Sequence, residues 1–371
     1  MKAVEQFNRH MMALARDSRG LTQSALAHSM NVAQGTISKF EAGVNDPPRE
    51  FIEDLAGVLK YRPEFFYETG RPYGMPPFHY RRRKKLGQKP LDRMIAEMNI
   101  RRIQLRILLR SYDGRTNGFI PEIDRDEYQG STARAFNVED AARHLRELWM
   151  LPDGPIDNVT DLLEEHGGIV VPCNFDSDLI DAVSQRIDGF PVLFFVNMNA
   201  PADRIRHTLC HELAHMVLHT TTLLDDEMME EEADIFAGSF LVPAKSMRAQ
   251  LTRFDLRQIA LLKKHWKVSM SSIAMRADRL GMISPHQKKS FFMEMSKLGY
   301  RKAEPYEPKK ELPRKISRLI DHHLSVLKYS REELASALFI NLPEFDRMYG
   351  PEMLGASEAA APQRPTLRLV E

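Results

Sequence analysis

Cysteine is scarce. Cys173 and Cys210 are the two present in 371 residues, so no disulfide framework can staple this chain. The pair fits a reducing compartment, and the cytoplasm is the expected location. Net charge is almost absent too: 52 basic against 51 acidic side chains leave +1 at pH 7. Long apolar runs are missing. The most apolar stretch, Phe190 to Val196, falls far short of the ~20 residues that a membrane-spanning helix needs, so no membrane partner is expected. The opening residues MKAVEQFNRH contain a basic residue but no apolar segment after it, so no secretory signal is expected. The composition is otherwise ordinary, at 43% hydrophobic and 28% charged, and rules out a largely disordered or collagen-like chain. The length suggests two or three domains, and no internal repeat is evident.

The overall neutrality hides a local asymmetry. Residues 66–90 hold Arg71, Arg81, Arg82, Arg83, Lys84, Lys85 and Lys89 against Glu68 alone, so the front of the chain is basic and suits an anionic partner. Residues 5–68 read as short helices: a stripe of Met11, Leu14 and Ala15, a helix capped by Thr22, a tight turn at Asn31, a helix ending at Gly43, and another over 50–59. Gly and Pro in GRPYGMPPFHY mark a linker, after which helical periodicity returns over 92–112. From Val138 the texture is α+β. Helices are expected over 141–149 and 156–166, and strands at 169–171, 179–183 and 192–196. Further helices are expected over 203–219 and 229–241. Residues 255–350 read as helical throughout, with Ser330 and Glu333 as a capping box, and the Ala- and Pro-rich end as a disordered tail.

His211-Glu212-Leu213-Ala214-His215 is an H-E-x-x-H on a predicted helix. Residues four apart share a helix face, so both imidazoles can hold one cation. Zinc is the expected ion, one per chain, and it brings the pKa of its water towards ~7. Glu212 then sits where it can take that proton, as the catalytic residue. A third ligand is needed. Glu230, Ala233, Asp234, Ala237 and Leu241 form one helical stripe whose alanines permit close helix approach, making Glu230 the ligand and Asp234 an orienting partner for a ligand histidine. Glu231 and Glu232 fall on another face and are expected in solvent. His207 and His219 are expected to be structural or surface histidines, and Cys210 a core residue.

HTLCHELAHMVLH followed by EEEADIFAGSFLVP resembles the ImmA/IrrE-type zinc metallopeptidase domain, a minimal gluzincin-like fold. Asn197, Arg204, Arg206, Glu230, Ala233, Phe236, Ala237 and Pro243 fall at the family's positions. The likeness extends over about 138–306, including LRELWMLPDGPIDNVTDLLEEHGGIVV and GYRKAEP. Ala214 replaces the usual Gly and Asp234 the usual Asn, both small changes that leave the ligands intact. Some members of that family cleave a partner regulator and others are domains of transcription factors, so the resemblance implies a metal site without settling hydrolysis.

LTQSALAHSMNVAQGTISKFEAG resembles the Cro/C1-type helix-turn-helix of XRE-family regulators. In that motif the second helix enters the major groove. Gln34 can read adenine, Thr36 can touch a base or phosphate, and Gly35, Ser38 and Lys39 share the outward face. Gln23 is placed for phosphate. Arg81, Arg82 and Arg83 can neutralise further phosphates. A helical protein–protein module is the alternative for this segment.

The expected architecture is multidomain. A Cro/C1-type all-α DNA-binding head spans 1–70, a basic linker 71–91 and a helical connector 92–137. An α+β gluzincin-like domain spans 138–306, a small helical region 307–350 and a tail 351–371. The expected function is a DNA-binding transcription regulator, acting as a homodimer on a double-stranded operator, with the 92–112 helix as dimer element or packing element. Its zinc domain cleaves a partner regulator or acts as a sensor. The alternatives are an active endopeptidase recruited to DNA to cut a repressor, and a toxin–antitoxin-type regulatory partner. SREELASALFINLPEFDRMYG is faintly helix-turn-helix-like and is not assigned to DNA.

Overall fold

A computed structural model of the chain describes residues 6–74, 87–112, 118–124, 136–173, 175, 180–220 and 224–354. The Arg81–Lys85 run, Leu179 and residues 355–371 of the expected tail lie outside the described residues. The head comprises α1 (Arg9–Ser18), α2 (Gln23–Ser29), α3 (Gln34–Ala42) and α4 (Arg49–Leu59), followed by a 3-10 turn at Pro63–Tyr67. Thr22 caps α2 by accepting the Ala25 N–H at 3.1 Å. Asn31 turns the chain at φ 53°, and Gly43 closes α3 in the left-handed region at φ 72°. Met11, Leu14, Ala15, Leu26, Ile37, Phe40, Ile52 and Leu55 fill the interior.

Helix α5 (Gln88–Arg110) packs along α1. Its buried Met94, Met98, Leu105 and Leu108 belong to the same apolar core as the head. This helix is therefore a packing element inside the chain, with Ile95, Ile103, Ile107 and Leu109 partly buried along it. Next come α6 (Val138–Leu148) and α7 (Val159–Glu165). Strands β1 (Ile169–Cys173), β2 (Ala182–Gln185) and β3 (Leu193–Asn197) form a sheet of order β1-β3-β2. β1 runs parallel to β3, and β2 antiparallel. Every strand residue is buried, which explains why the strands read as apolar runs without alternation. The two-residue period still sorts them. Val170, Ala182, Phe194 and Val196 face one core, and Ile169, Val171, Cys173, Val183, Leu193 and Phe195 face the other.

Helices α8 (Ala202–Leu218) and α9 (Asp226–Leu241) pack together on the first of these faces. Ala233 and Ala237 are fully buried at their contact. Shorter helices follow: α10 (Ala244–Gln250), α11 (Leu256–Trp266), α12 (Met270–Arg279) and α13 (Pro285–Lys297). The segment after α13 is tied back by charge: buried Lys263 meets Asp203 and, at 2.9 Å, Glu304. Arg206 meets Glu311, whose carboxylate also accepts the Val159 N–H at 2.8 Å.

The second sheet face is covered by α14 (Lys315–Asp321), which packs on β1 and α5. It runs into a wider turn at His322–Val326, then α15 (Arg331–Ala337) and α16 (Leu342–Tyr349). This last pair returns to the head. Tyr61 and Ile340 form a backbone bridge, Arg62 N–H donates to Phe339 O at 3.0 Å, and Arg19 meets Glu344 at 2.7 Å.

The backbone of α15–α16 repeats that of α2–α3. Ser330 caps α15 as Thr22 caps α2. The Asn31 and Val32 N–H groups donate to His28 and Ala27, and those of Phe339 and Ile340 to Ser336 and Ala335. Asn31 and Phe339 both have positive φ, 53° and 63°. Leu26, Ala27, Ile37 and Phe40 are matched in place by buried Leu334, Ala335, Phe345 and Met348. No repeat was expected from the sequence, because the shared pattern lies in caps, burial and backbone sign, and hardly in residue identity. Among the described residues no helix is long and apolar enough to cross a membrane.

Candidate metal centre and DNA-reading head

Helix α8 is buried over almost its whole length, so its polar residues face protein on all sides. His211 is 3% exposed and His215 and Glu212 are fully buried. Buried groups of this kind need partners. His211 Nε2 and His215 Nε2 lie 3.2 Å apart. Glu230, from α9, places its two carboxylate oxygens 3.7 Å from His211 Nε2 and 3.5 Å from His215 Nε2. Ligand atoms of these three residues all lie within 4.8 Å of one another. The separations match the edges of a tetrahedron of nitrogen and oxygen atoms around zinc, roughly 3.3 Å for bonds of about 2.0–2.1 Å.

The electrostatics agree with the shape. Burial disfavours a charged His211, yet the bonds to Asp234 and Glu230 outweigh it and push the imidazole up to about 9. The site draws positive charge even as a bare proton. His211 Nδ1 lies 2.9 Å from Asp234 Oδ1, so the proton that remains when a cation takes the Nε2 lone pair is held on Nδ1 by Asp234. Burial raises the Asp234 carboxyl, but the His211 bond and charge hold it below its ordinary range. The donor set therefore fits a zinc ion. The centre opens on the α9 side, where the Glu230 side chain is 25% exposed and that of Asp234 is 50%.

Glu212 turns towards the sheet. Its Oε2 accepts the Ser184 backbone N–H at 2.9 Å and the Ser184 hydroxyl at 2.7 Å. Sequence reasoning missed Ser184, since nothing local ties β2 to the middle of α8. It also misplaced Glu232, which is not solvated: its Oε2 lies 3.1 Å from His219 Nε2. His219 is 4% exposed, at the end of α8. Desolvation lowers His207 to about 4, which suits a neutral, structural imidazole. Cys210 is buried core, with its thiol pushed up to about 12 by desolvation.

In the head, Gln34, Gly35 and Lys39 are exposed along α3, with Thr36 and Ser38 half-buried on the same helix. Gln23 is not idle before DNA arrives. Its amide donates to Glu41 at 2.8 Å and accepts from Gln34 at 2.9 Å, and Glu41 is held by Arg16 at 2.6 Å. The two glutamines thus stand side by side at the entrance of α3, pre-ordered by a half-buried ion pair. A Cβ at Gly35 would meet nothing within 4 Å. Arg81, Arg82 and Arg83 lie outside the described residues.

Residues 12–66 match the helix-turn-helix family. Residues 163–278 match the IrrE N-terminal-like domain, a metallopeptidase family. The chain fuses an XRE-type helix-turn-helix head to an ImmA/IrrE-type domain, and the two matches support a regulator that binds double-stranded DNA and carries that domain. A comparison with curated proteins finds no match.

Proposed function

We propose that this is a transcription regulator whose IrrE-like domain binds one zinc ion through His211, His215 and Glu230 and cleaves a partner regulator. The convergence of those three ligand atoms within 4.8 Å on two tightly packed helices carries the reading. Bound zinc would supply Lewis acidity at the centre. The chain's own residues do the rest. Asp234 orients His211. Ser184 fixes the plane of the Glu212 carboxylate, and Glu212 takes the proton of the attacking water and passes it to the leaving amine. In the head, Gln34, Thr36, Ser38 and Lys39 face the operator, Gln23 reaches phosphate, and the basic residues Arg81–Arg83 add charge.

A second reading is a zinc-loaded sensor without turnover. It is favoured by the full burial of Glu212 and by the two Ser184 donors already on its Oε2. Metal content decides first. Tag-free protein, purified without chelator, is expected to carry about one zinc per chain by mass spectrometry and to lose it in His211→Ala. A folded, metal-free protein that still binds DNA would overturn the site. Glu212→Gln then separates the readings: it keeps the metal in both, and abolishes regulation in cells only if cleavage is the activity.

A further inference from the structure

Of the three ligands, His215 is the most deeply enclosed, and its outer nitrogen meets a second imidazole where that of His211 meets a carboxylate. Its Nδ1 lies 2.9 Å from Nδ1 of His219, and the far side of that second ring, Nε2, lies 3.1 Å from Glu232 Oε2. Two ring nitrogens in contact cannot both donate, so one must give and the other accept. Ligation through His215 Nε2 fixes the answer. The lone pair is then on Nε2, the proton on Nδ1, and His215 donates to His219. That leaves the His219 proton on Nε2, aimed at Glu232. Every atom in the row receives one consistent role.

We propose that His219 and Glu232 are positioning residues for the metal, locking His215 in its ligating tautomer and ring orientation through a carboxylate–imidazole–imidazole row. The inference rests on the zinc reading above. Helix geometry builds the row: His219 closes α8 four residues after His215, and its N–H donates to the His215 carbonyl at 3.1 Å, so both rings lie on one face, tilted 56° to each other. Glu232 comes across from α9, two positions after the ligand Glu230, with its side chain 14% exposed. The site is therefore braced on both sides, by Asp234 behind His211 and by His219–Glu232 behind His215. Removing such outer bracing from a metal ligand typically weakens metal binding tenfold to a hundredfold.

The test is the zinc dissociation constant of the full chain, read by competition with a chromophoric chelator. His219→Phe fills the space but offers no acceptor, and is expected to bind zinc tenfold to a hundredfold more weakly. His219→Asn places an amide oxygen near the lost Nδ1 and is expected to recover most of that loss, which a purely packing role would not allow. Glu232→Ala, closer to solvent, serves should the Phe variant fail to fold, and is expected to weaken binding in the same direction. Zinc binding by the wild type with equal affinity in folded His219→Phe or in Glu232→Ala, or no recovery in His219→Asn, overturns the positioning role alone. Failure of the wild type itself to bind zinc overturns the metal site and this inference with it.

Discussion

Glu164 lies in the last turn of α7 beside the start of α14, where its Oε2 accepts the backbone N–H groups of Arg314 at 3.0 Å and Lys315 at 2.8 Å. Burial pushes its carboxyl up to about 7 from an ordinary 4.5, against the opposing pull of those bonds and of the Lys315 charge. Below pH 4.5 both folded and unfolded chains hold the proton. Between 4.5 and 7 the folded chain keeps a proton that the unfolded chain has released, so stability falls as pH rises. At about 1.4 kcal/mol per pH unit, the window costs about 3 kcal/mol. Glu164→Gln cannot ionise and retains a carbonyl oxygen for the two N–H groups. The variant should match the wild type near pH 4.5 and exceed it by up to about 3 kcal/mol above pH 7. Urea midpoints at four or five pH values would show it, with Trp149, stacked 4.1 Å from His166, as the nearby fluorophore. Any pH dependence of metal binding is common to both proteins and cancels in the difference. Parallel curves, or a Gln variant weaker at pH 8, would refute the reasoning.

Glu344 has the opposite sign: burial works against its charge, but the bonds from Arg347 and Arg19 hold it down at about 2. Its contribution is present above pH 4.5 and fades as pH falls towards 2, so Glu344→Gln should lose about 1 kcal/mol at pH 5, discounted for its partial solvation, and less at pH 3. Gly35→Ala adds a Cβ into open space within α3 and should raise the thermal midpoint, by about 0.5–1 kcal/mol of stability; a lower midpoint would show that α3 does not tolerate the methyl. Lys39→Ala should weaken binding to duplex DNA of any sequence and shallow the salt dependence by about one charge, measured by fluorescence anisotropy across salt concentrations. An unchanged salt slope would take Lys39 off the phosphate backbone.

Short-range signals in the sequence translated well. Thr22 and Ser330 cap where their spacing to the following helix placed them, Asn31 and Gly43 turn the chain, and the two HExxH histidines share a helix face with Glu230 brought against them from α9. What was illegible depends on partners far away in the chain. Helix α5 carries Arg101 and Arg102, to which the sequence alone assigns no role. Both are buried, Arg101 over the Tyr349 ring and Arg102 over that of Tyr73 and against Gln185. Of the acidic cluster after α8, Glu232 is expected in solvent with Glu231, yet it meets His219, and Asp225 caps α9. A carboxylate's partner cannot be read from its own neighbourhood when the partner arrives on another helix. The second helix-turn-helix backbone shows only faintly in SREELASALFINLPEFDRMYG for a related reason: a position that takes positive φ is filled by Asn once and by Phe the other time.

The return of α15 and α16 to the head has a consequence for how the protein is made. Leu59, Tyr61 and Phe65 are buried in one core with Leu334, Ile340 and Phe345. A ribosome adds about 5–20 residues per second. The head thus leaves the exit tunnel on the order of ten seconds to a minute before the helices that cover it. During that interval the nascent chain carries an uncovered aromatic face next to a formed DNA-reading helix, and the whole metal domain is synthesised in between. A message broken before codon 330 would yield the same open-sided head permanently. Its exposed face would make it a substrate for chaperones and proteases.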